Sequence, residues 1–175
     1  MFLELIATVF AGLAVAGVAM LLNKLTGNRL PRWIVPVAAG LGMIGTTIAS
    51  EYGWYDRTLA TLPEGMEVAQ TVENQSFYRP WTYARPYIER FVAVDATSLR
   101  QNPALPGQRM VDVYYFGRWA PLNKVPVLLD CDGARRASLV DGAEFGADGQ
   151  VINADWVAVG ADDPLVATGC EIEVS

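Results

Sequence analysis

The stretch Asn23–Trp33, NKLTGNRLPRW, separates two of the most apolar segments of the chain. It contains three cations, Lys24, Arg29 and Arg32, and no acidic residue. Short loops rich in lysine and arginine are typical of the cytoplasmic side of membrane proteins. If both flanking segments cross a membrane, this turn decides on which side the rest of the chain lies.

The segment before the turn predicts a membrane-spanning helix. Phe2–Leu22 holds about 21 residues with Glu4 as its only charge, and a helix of that length spans roughly 31 Å, the thickness of a hydrocarbon core. A cleaved secretory signal is the alternative, but that pattern places positive charge before the apolar run. Here the cations follow Leu22, so we expect an uncleaved anchor.

The segment after the turn, Trp33–Ser50, predicts a second span. Aromatic residues at both ends match the interfacial belts of membrane helices: Trp33, Tyr52, Trp54 and Tyr55. The alternative is a buried hairpin in the core of a soluble protein. Two uncharged segments of membrane length would then have to be covered by the remaining 125 residues (175 minus 50), which favours the membrane.

This topology places the amino terminus and everything from Glu51 onward on the non-cytoplasmic side, which for a bacterial inner membrane is the periplasm. The part after residue 50 holds 10 of the 13 basic and 18 of the 19 acidic residues, a net charge of 10 minus 18, or −8. An acidic surface argues against nucleic acid as a partner, because phosphate binding needs a concentrated basic face.

The two cysteines, Cys131 and Cys170, both lie in the part assigned to an oxidising compartment. We expect them to form a disulfide, which would stabilise the domain by roughly 4 kcal/mol in the chain-entropy model. The alternative is two separate buried thiols.

Small residues recur at helical spacing in both apolar segments and predict that the two helices pack on each other. The residues predicted to make this contact are Gly12, Ala16, Ala38, Gly42 and Thr46. A second set of small residues lies off these stripes and is a candidate for contact with the helices of a partner complex: Ala7, Ala11, Ala14, Gly45 and Ala49.

The chain is predicted to be an α+β membrane protein with three parts: a helix hairpin over residues 1–50, a helical stalk over 51–65, and a small, mainly antiparallel β domain over 66–175. Pro63-Glu64-Gly65 ends the stalk. Asp163-Pro164 predicts the start of a short helix that carries Cys170 back to the sheet. The predicted strands are Met66–Val72, Ile88–Val94, Met110–Trp119, Val125–Cys131, Arg136–Val140 and Trp156–Val159, with Asp-Gly turns at residues 132–133, 141–142 and 148–149.

One segment of the β domain combines aromatic residues, arginines and prolines, a composition enriched at interfaces and at membrane surfaces. Its candidate interface residues are Phe77, Tyr78, Arg79, Trp81, Tyr83, Arg85 and Tyr87. The prolines predict an irregular loop or edge. Docking on a partner, docking on lipid headgroups and capping of the domain's own core remain alternatives, whereas the alternation in Tyr114–Trp119 favours core packing.

No motif for a reaction is present. The chain lacks histidine, which removes Ser-His-Asp catalysis and most zinc sites, and it lacks a C-x-x-C motif. Asp130-Cys131-Asp132-Gly133 begins like a calcium loop, but Arg135 and Arg136 stand where further oxygen ligands are needed. We therefore predict no catalytic residue, no metal, no cofactor and no small-molecule substrate.

Two segments carry a resemblance to a group of known proteins. Leu30–Gly45, LPRWIVPVAAGLGMIG, and Asn102–Pro121, NPALPGQRMVDVYYFGRWAP, about a fifth of the chain, resemble segments of two-span inner-membrane proteins of photosynthetic and respiratory α-proteobacteria. The resemblance implies an electron-transfer complex as host and carries over no site residue.

Three hypotheses for function follow. The first is a non-catalytic accessory subunit of a larger inner-membrane complex, with the hairpin in the lipid bilayer against partner helices. The second is a free-standing periplasmic assembly factor or sensor that binds a client transiently. The third is a hydrolase that uses carboxylates alone, which would need two acids converging in a pocket.

Overall fold

The computed structural model describes residues 2–139, 144–146 and 151–172. It has two compact units, Met1–Ala60 and Thr61–Ser175. The coarse prediction of two long apolar helices followed by a mainly antiparallel sheet is confirmed. The predicted turns at residues 141–142 and 148–149 lie outside the described residues.

The first unit is a hairpin of α1 (Phe2–Leu25) and α2 (Ile34–Leu59). Both helices are long and apolar enough to cross a membrane by length and composition, and little of their surface is buried inside the protein. The turn between them uses left-handed backbone at Gly27 and Asn28, with φ of 76° and 59°. The side chain of Asn23 accepts the Leu30 N–H at 2.9 Å, which closes the turn.

The predicted helical stalk begins as a continuation of the second apolar helix, because α2 runs without a break to Leu59. Nothing between Glu51 and Leu59 stops a helix, since Gly53 is tolerated within one. The helix ends shortly before Pro63-Glu64-Gly65, where Gly65 has φ of 88°. The helical part of the predicted stalk is therefore the last two turns of α2.

Two glycines let the helices of the hairpin approach closely. A Cβ on Gly12 would lie 2.6 Å from Cγ of Met43, and a Cβ on Gly42 would lie 2.8 Å from Cγ2 of Val15. Glycine is therefore the residue that fits at both points of contact. The other residues predicted for packing are half-buried: Ala16, Ala38 and Thr46. Thr46 donates its hydroxyl to the carbonyl of Gly42 at 2.9 Å.

The second unit is built on a six-stranded antiparallel meander in which each strand pairs with the next along the chain. The strands are β1 (Met66–Asn74), β2 (Tyr87–Asn102), β3 (Leu105–Gly117), β4 (Asn123–Asp130), β5 (Arg135–Ser138) and β6 (Val157–Ala158). A four-residue helix, α3 (Trp81–Ala84), lies between β1 and β2, and α4 (Pro164–Glu171) follows β6.

The core lies between one face of the sheet and α4. The sheet contributes alternate valine and leucine side chains to this cluster, because residues two apart in a strand point to the same face. A Cβ on Gly169 of α4 would collide with the Leu129 side chain, so the helix backbone rests directly on the sheet. The buried cluster consists of Val94, Val111, Val113, Val127, Leu129, Leu165, Val166 and Ile172.

Both ends of α4 are fixed to their surroundings. At its start, the Asp163 carboxylate accepts the N–H groups of Leu165 and Val166 at 3.1 and 3.3 Å, the capping contact that the Asp-Pro pair predicts. At its end, Nη1 of Arg109 donates to the carbonyls of Gly169, Cys170 and Ile172 at 3.3, 2.9 and 2.7 Å.

The predicted disulfide is present between Cys131, directly after β4, and Cys170 in the last turn of α4, with the two Cα atoms 5.9 Å apart. It joins residues separated by 39 positions in the chain. The last helix is therefore tied to the end of a central strand by a covalent bond.

Candidate functional site

Two connections between strands lie side by side at one end of the sheet. Asn74 at the end of β1 pairs with Tyr87 at the start of β2, and Arg90 of β2 pairs with Gly117 at the end of β3. The β1–β2 connection (75–86) and the β3–β4 connection (118–122) therefore leave the sheet at the same end. Two spacings of about 4.8 Å between strands, combined with the three-residue stagger between Tyr87 and Arg90 at about 3.3 Å per residue, put the starts of the two connections about 14 Å apart.

The β1–β2 connection is ordered by a buried hydroxyl. Thr82 is fully buried, its oxygen accepts the Ser76 N–H at 2.9 Å, and its hydroxyl donates to the Arg79 carbonyl at 2.7 Å.

The expectation that prolines exclude regular structure here is wrong. Pro80 precedes α3 with φ of −60° and Pro86 follows it, so the prolines bracket one helical turn where their missing N–H groups cost little.

The structure separates the candidate interface residues into exposed and buried groups. The side chains of Phe77, Tyr78 and Tyr83 are 85%, 64% and 59% exposed, and Arg79 lies over the Tyr78 ring at 5.3 Å. Trp81 and Arg85 are also exposed. Tyr87 is the exception, because it begins β2 and is buried.

The β3–β4 connection adds residues that the sequence did not single out for this site. Trp119 and Leu122 are half-exposed beside the first loop. The expectation of core packing for Tyr114–Trp119 is therefore wrong for Trp119, which lies beyond the end of β3. It holds for Phe116, whose ring stacks on buried Phe91 with centroids 4.5 Å apart. We call the exposed side chains of the two connections the aromatic end: Phe77, Tyr78, Trp81, Tyr83, Trp119 and Leu122.

A cavity of about 490 Å³ lies beside the aromatic end. Val92 and Tyr115 line it and also pack against the core beneath α4. Pro121 of the β3–β4 connection forms part of its rim. The cavity thus adjoins the core cluster at these two side chains.

The charge of this end differs from that of the rest of the unit. Residues 75–88 and 117–124 contain no acid, although the chain after residue 50 is strongly acidic. Their cations are Arg79, Arg85, Arg118 and Lys124. Lys124 is locally balanced, since its ammonium lies 2.7 Å from the carboxylate of Asp112.

A second polar cluster surrounds Asp130 at the opposite end of the sheet. The Nε of Arg135 donates to Oδ2 of Asp130 at 2.6 Å, and the Gly133 N–H donates to Oδ1 at 3.1 Å. Burial favours a raised pKa for the Asp130 carboxyl, but these two hydrogen bonds and the charge of Arg135 outweigh it and hold the pKa below its ordinary value. The carboxylate therefore serves the fold as an ion-pair partner.

The β4–β5 turn after this strand differs from the predicted Asp-Gly turn. Ala134, and not Gly133, takes the left-handed backbone, with φ of 45°. Glycine is needed at position 133 for another reason, because a Cβ there would lie 2.7 Å from Oδ2 of Asp130. Within residues 2–139, 144–146 and 151–172, no group of three or more His, Cys, Asp or Glu is placed to hold a metal ion.

The Thr82 hydroxyl is expected to set the order of the β1–β2 connection. Thr82→Val keeps the shape but removes both hydrogen bonds, so the Ser76 amide should exchange with solvent about tenfold faster or more. Hydrogen exchange of the full-length protein in detergent measures this. Thr97→Val is the matched control, because the Thr97 hydroxyl donates to Asp95, two residues away in β2, and lies outside the β1–β2 connection. Equal Ser76 protection in Thr82→Val and wild type would contradict the assignment.

The Asp130 ion pair predicts a pH-dependent contribution to stability. Because Arg135 is partly exposed, Asp130→Asn should lower the free energy of unfolding by only about 1–2 kcal/mol at neutral pH. The native pKa is depressed, so the carboxylate contributes fully above the unfolded pKa of about 3.9 and loses its effect as the pH falls through the native value.

Thermal unfolding of wild type and Asp130→Asn, followed by near-ultraviolet circular dichroism, should show a constant difference near neutrality that closes in acid. Asp162→Asn, on an exposed side chain, is the control and should unfold as wild type does. A difference that persists unchanged at about pH 3 would show that the charge of Asp130 is not its source.

No protein-family model, curated protein or solved structure matches the chain. The resemblance of Leu30–Gly45 and Asn102–Pro121 to α-proteobacterial two-span proteins stays a prediction.

Proposed function

We propose that this protein is a two-pass inner-membrane protein that serves as a non-catalytic accessory subunit of a larger membrane complex. The observation that carries the proposal is the surface of the hairpin. The facing sides of α1 and α2 pack on each other, whereas their outer sides are apolar and exposed. Large side chains are exposed along both helices, among them Phe10, Leu13, Leu41 and Ile44. Lipid and the helices of a partner are the two environments that cover such a surface.

Small residues on the outer surface favour a partner helix as part of that environment. Gly45 has no atom within 4 Å of the position of a Cβ, and Ala49, one turn further on, is exposed. Such a pair lets the backbone of another helix approach, and close packing drives helix association where lipid tails are as apolar as side chains. Gly42 thus contacts the other helix of the hairpin, whereas the surface at Gly45 is left open to a partner.

Two independent features support the orientation with the second unit in the periplasm. Lys24, Arg29 and Arg32 lie in the turn between the helices, which favours a cytoplasmic turn. The Cys131–Cys170 disulfide lies in the second unit, and structural disulfides persist in oxidising compartments. The resemblance to proteins of respiratory and photosynthetic bacteria makes an electron-transfer complex the proposed host.

A second candidate function is a free-standing assembly factor that binds a client transiently. The cavity of about 490 Å³ beside the aromatic end favours it, because a client side chain could enter between Tyr115 and Pro121. The two functions differ in what the hairpin does, since an assembly factor needs it only as an anchor.

Cysteine labelling tests the orientation. In intact spheroplasts, a membrane-impermeant maleimide should label Ala104→Cys in the exposed β2–β3 turn and should label Thr26→Cys only after the membrane is opened. The native cysteines are paired, so the parent chain is the unlabelled control. The reverse pattern would invert the topology, and labelling of both in intact spheroplasts would contradict a two-pass protein.

Extraction in mild detergent tests the subunit role. The tagged wild-type protein should migrate on a native gel with one large complex, in stoichiometric amount by mass spectrometry. Gly45→Leu should be largely lost from that complex, because its side chain fills the space offered to the partner helix. Gly45 has open surroundings, so the hairpin itself should stay intact.

Ile44→Leu is the matched control for Gly45→Leu, since it changes the neighbouring exposed position without adding volume and should stay in the complex. Migration of wild type as a bare monomer or homodimer would contradict the subunit role and favour the assembly factor.

A further inference from the structure

The aromatic end presents its rings on connections at the end of the sheet, and none of these rings lines a cavity formed by the described residues. Phe77, Tyr78 and Trp119 are half to largely exposed, while the neighbouring cavity is lined by other side chains. Rings that project from loops can insert into a deformable medium such as a bilayer more readily than they can fit a rigid pocket. Phenylalanine, tyrosine and tryptophan of this kind settle at the headgroup level of bilayers.

The charge pattern indicates which bilayer. Arg79, Arg85 and Arg118 belong to the two acid-free connections, whereas the chain after residue 50 carries a net charge of −8 (10 minus 18). An anionic surface attracts cations close to it and repels the acidic remainder of the unit. The two acid-free connections, with their three arginines, are therefore electrostatically complementary to anionic lipid.

We propose that the aromatic end is a lipid-binding surface that inserts its rings at the headgroup level of a bilayer containing anionic lipid. The inference rests on the proposed membrane insertion of the hairpin. Tethering by the hairpin keeps the local lipid concentration high, so a weak intrinsic affinity is enough for stable contact.

The ordered β1–β2 connection lowers the cost of binding. Thr82 holds the backbone around Phe77 and Tyr78 before any contact is made, so less conformational entropy is lost when the rings insert.

Tryptophan quenching in nanodiscs tests the proposal with the full-length protein. Variants that keep a single tryptophan at Trp33, Trp119 or Trp156, with phenylalanine at the other positions, report on the hairpin, the aromatic end and the opposite end of the sheet. The probe is lipid brominated near the headgroup, in discs of phosphatidylcholine alone or with phosphatidylglycerol.

The proposal predicts quenching of Trp119 that is strong with phosphatidylglycerol and weak without it, and no quenching of Trp156 in either disc. Arg79→Gln with Arg85→Gln should reduce the population of the quenched state, by about fivefold in partition for each arginine. Arg79→Gln with Arg85→Lys should recover part of the quenched population, because an anionic surface attracts lysine as it attracts arginine. Arg100→Gln, an exposed cation near the far end of β2, is the matched control and should leave Trp119 quenching unchanged.

The outcomes separate this inference from the proposed function. Quenching of Trp33 without quenching of Trp119 would overturn the lipid surface and leave the inserted hairpin standing. Absence of Trp33 quenching would contradict membrane insertion itself. Loss of co-migration with a complex in the Arg79→Gln, Arg85→Gln variant, with Trp119 unquenched by lipid, would show that the aromatic end binds protein instead.

A second readout avoids the tryptophan substitutions. An environment-sensitive fluorophore on Gln75→Cys, an exposed position two residues from Phe77, should shift to the blue in discs with phosphatidylglycerol. Phe77→Ser, at a side chain that is 85% exposed and so expected to leave the fold intact, should reduce that shift. An identical spectrum in both kinds of disc would overturn the proposal.

Discussion

The β unit depends on the docking of one short helix on its sheet. An antiparallel meander leaves a whole face of valine and leucine open to water, and burying such a side chain is worth about 1.5–3 kcal/mol. The helix that covers it, Pro164–Glu171, has eight residues, far fewer than an isolated helix needs in water. It is held by its surroundings: a carboxylate cap at Asp163, the Arg109 guanidinium on its last carbonyls, and a disulfide at Cys170.

This arrangement gives the two ends of the sheet different tasks. Arg109 pairs with Leu129 near the end of β4, and Cys131 follows that strand directly, so the fastening of α4 is concentrated at one end. The opposite end of the sheet carries the two connections with the aromatic side chains. The hydrogen bonds of Thr82 order the β1–β2 connection locally. Exposed aromatics on a rigid support are characteristic of contact surfaces.

Local signals in the sequence were enough to predict the features that depend on neighbouring residues. The two apolar helices, the cap at Asp163 with Pro164, and most strands are of this kind. Only the β1–β2 half of the aromatic end could be predicted from the sequence, because the strand register is what brings the β1–β2 and β3–β4 connections to the same end of the sheet. The β4–β5 turn shows the same limit. The Asp-Gly pair predicts that Gly133 is needed for the turn. In the structure, glycine is needed there because the Asp130 carboxylate approaches its backbone closely.

The hairpin shows most clearly why residue type alone does not assign a contact. Gly42 and Gly45 lie within one turn of α2, yet Gly42 meets Val15 across the hairpin while Gly45 meets nothing. Only the antiparallel pairing of the helices, which sets Gly12 against Met43, decides which glycine faces inward. A glycine that closes no internal contact still costs about 1 kcal/mol of helix propensity relative to alanine in water. Its presence on the outer surface is accounted for if a second helix approaches there, so contact with another membrane component is the proposed role of the hairpin.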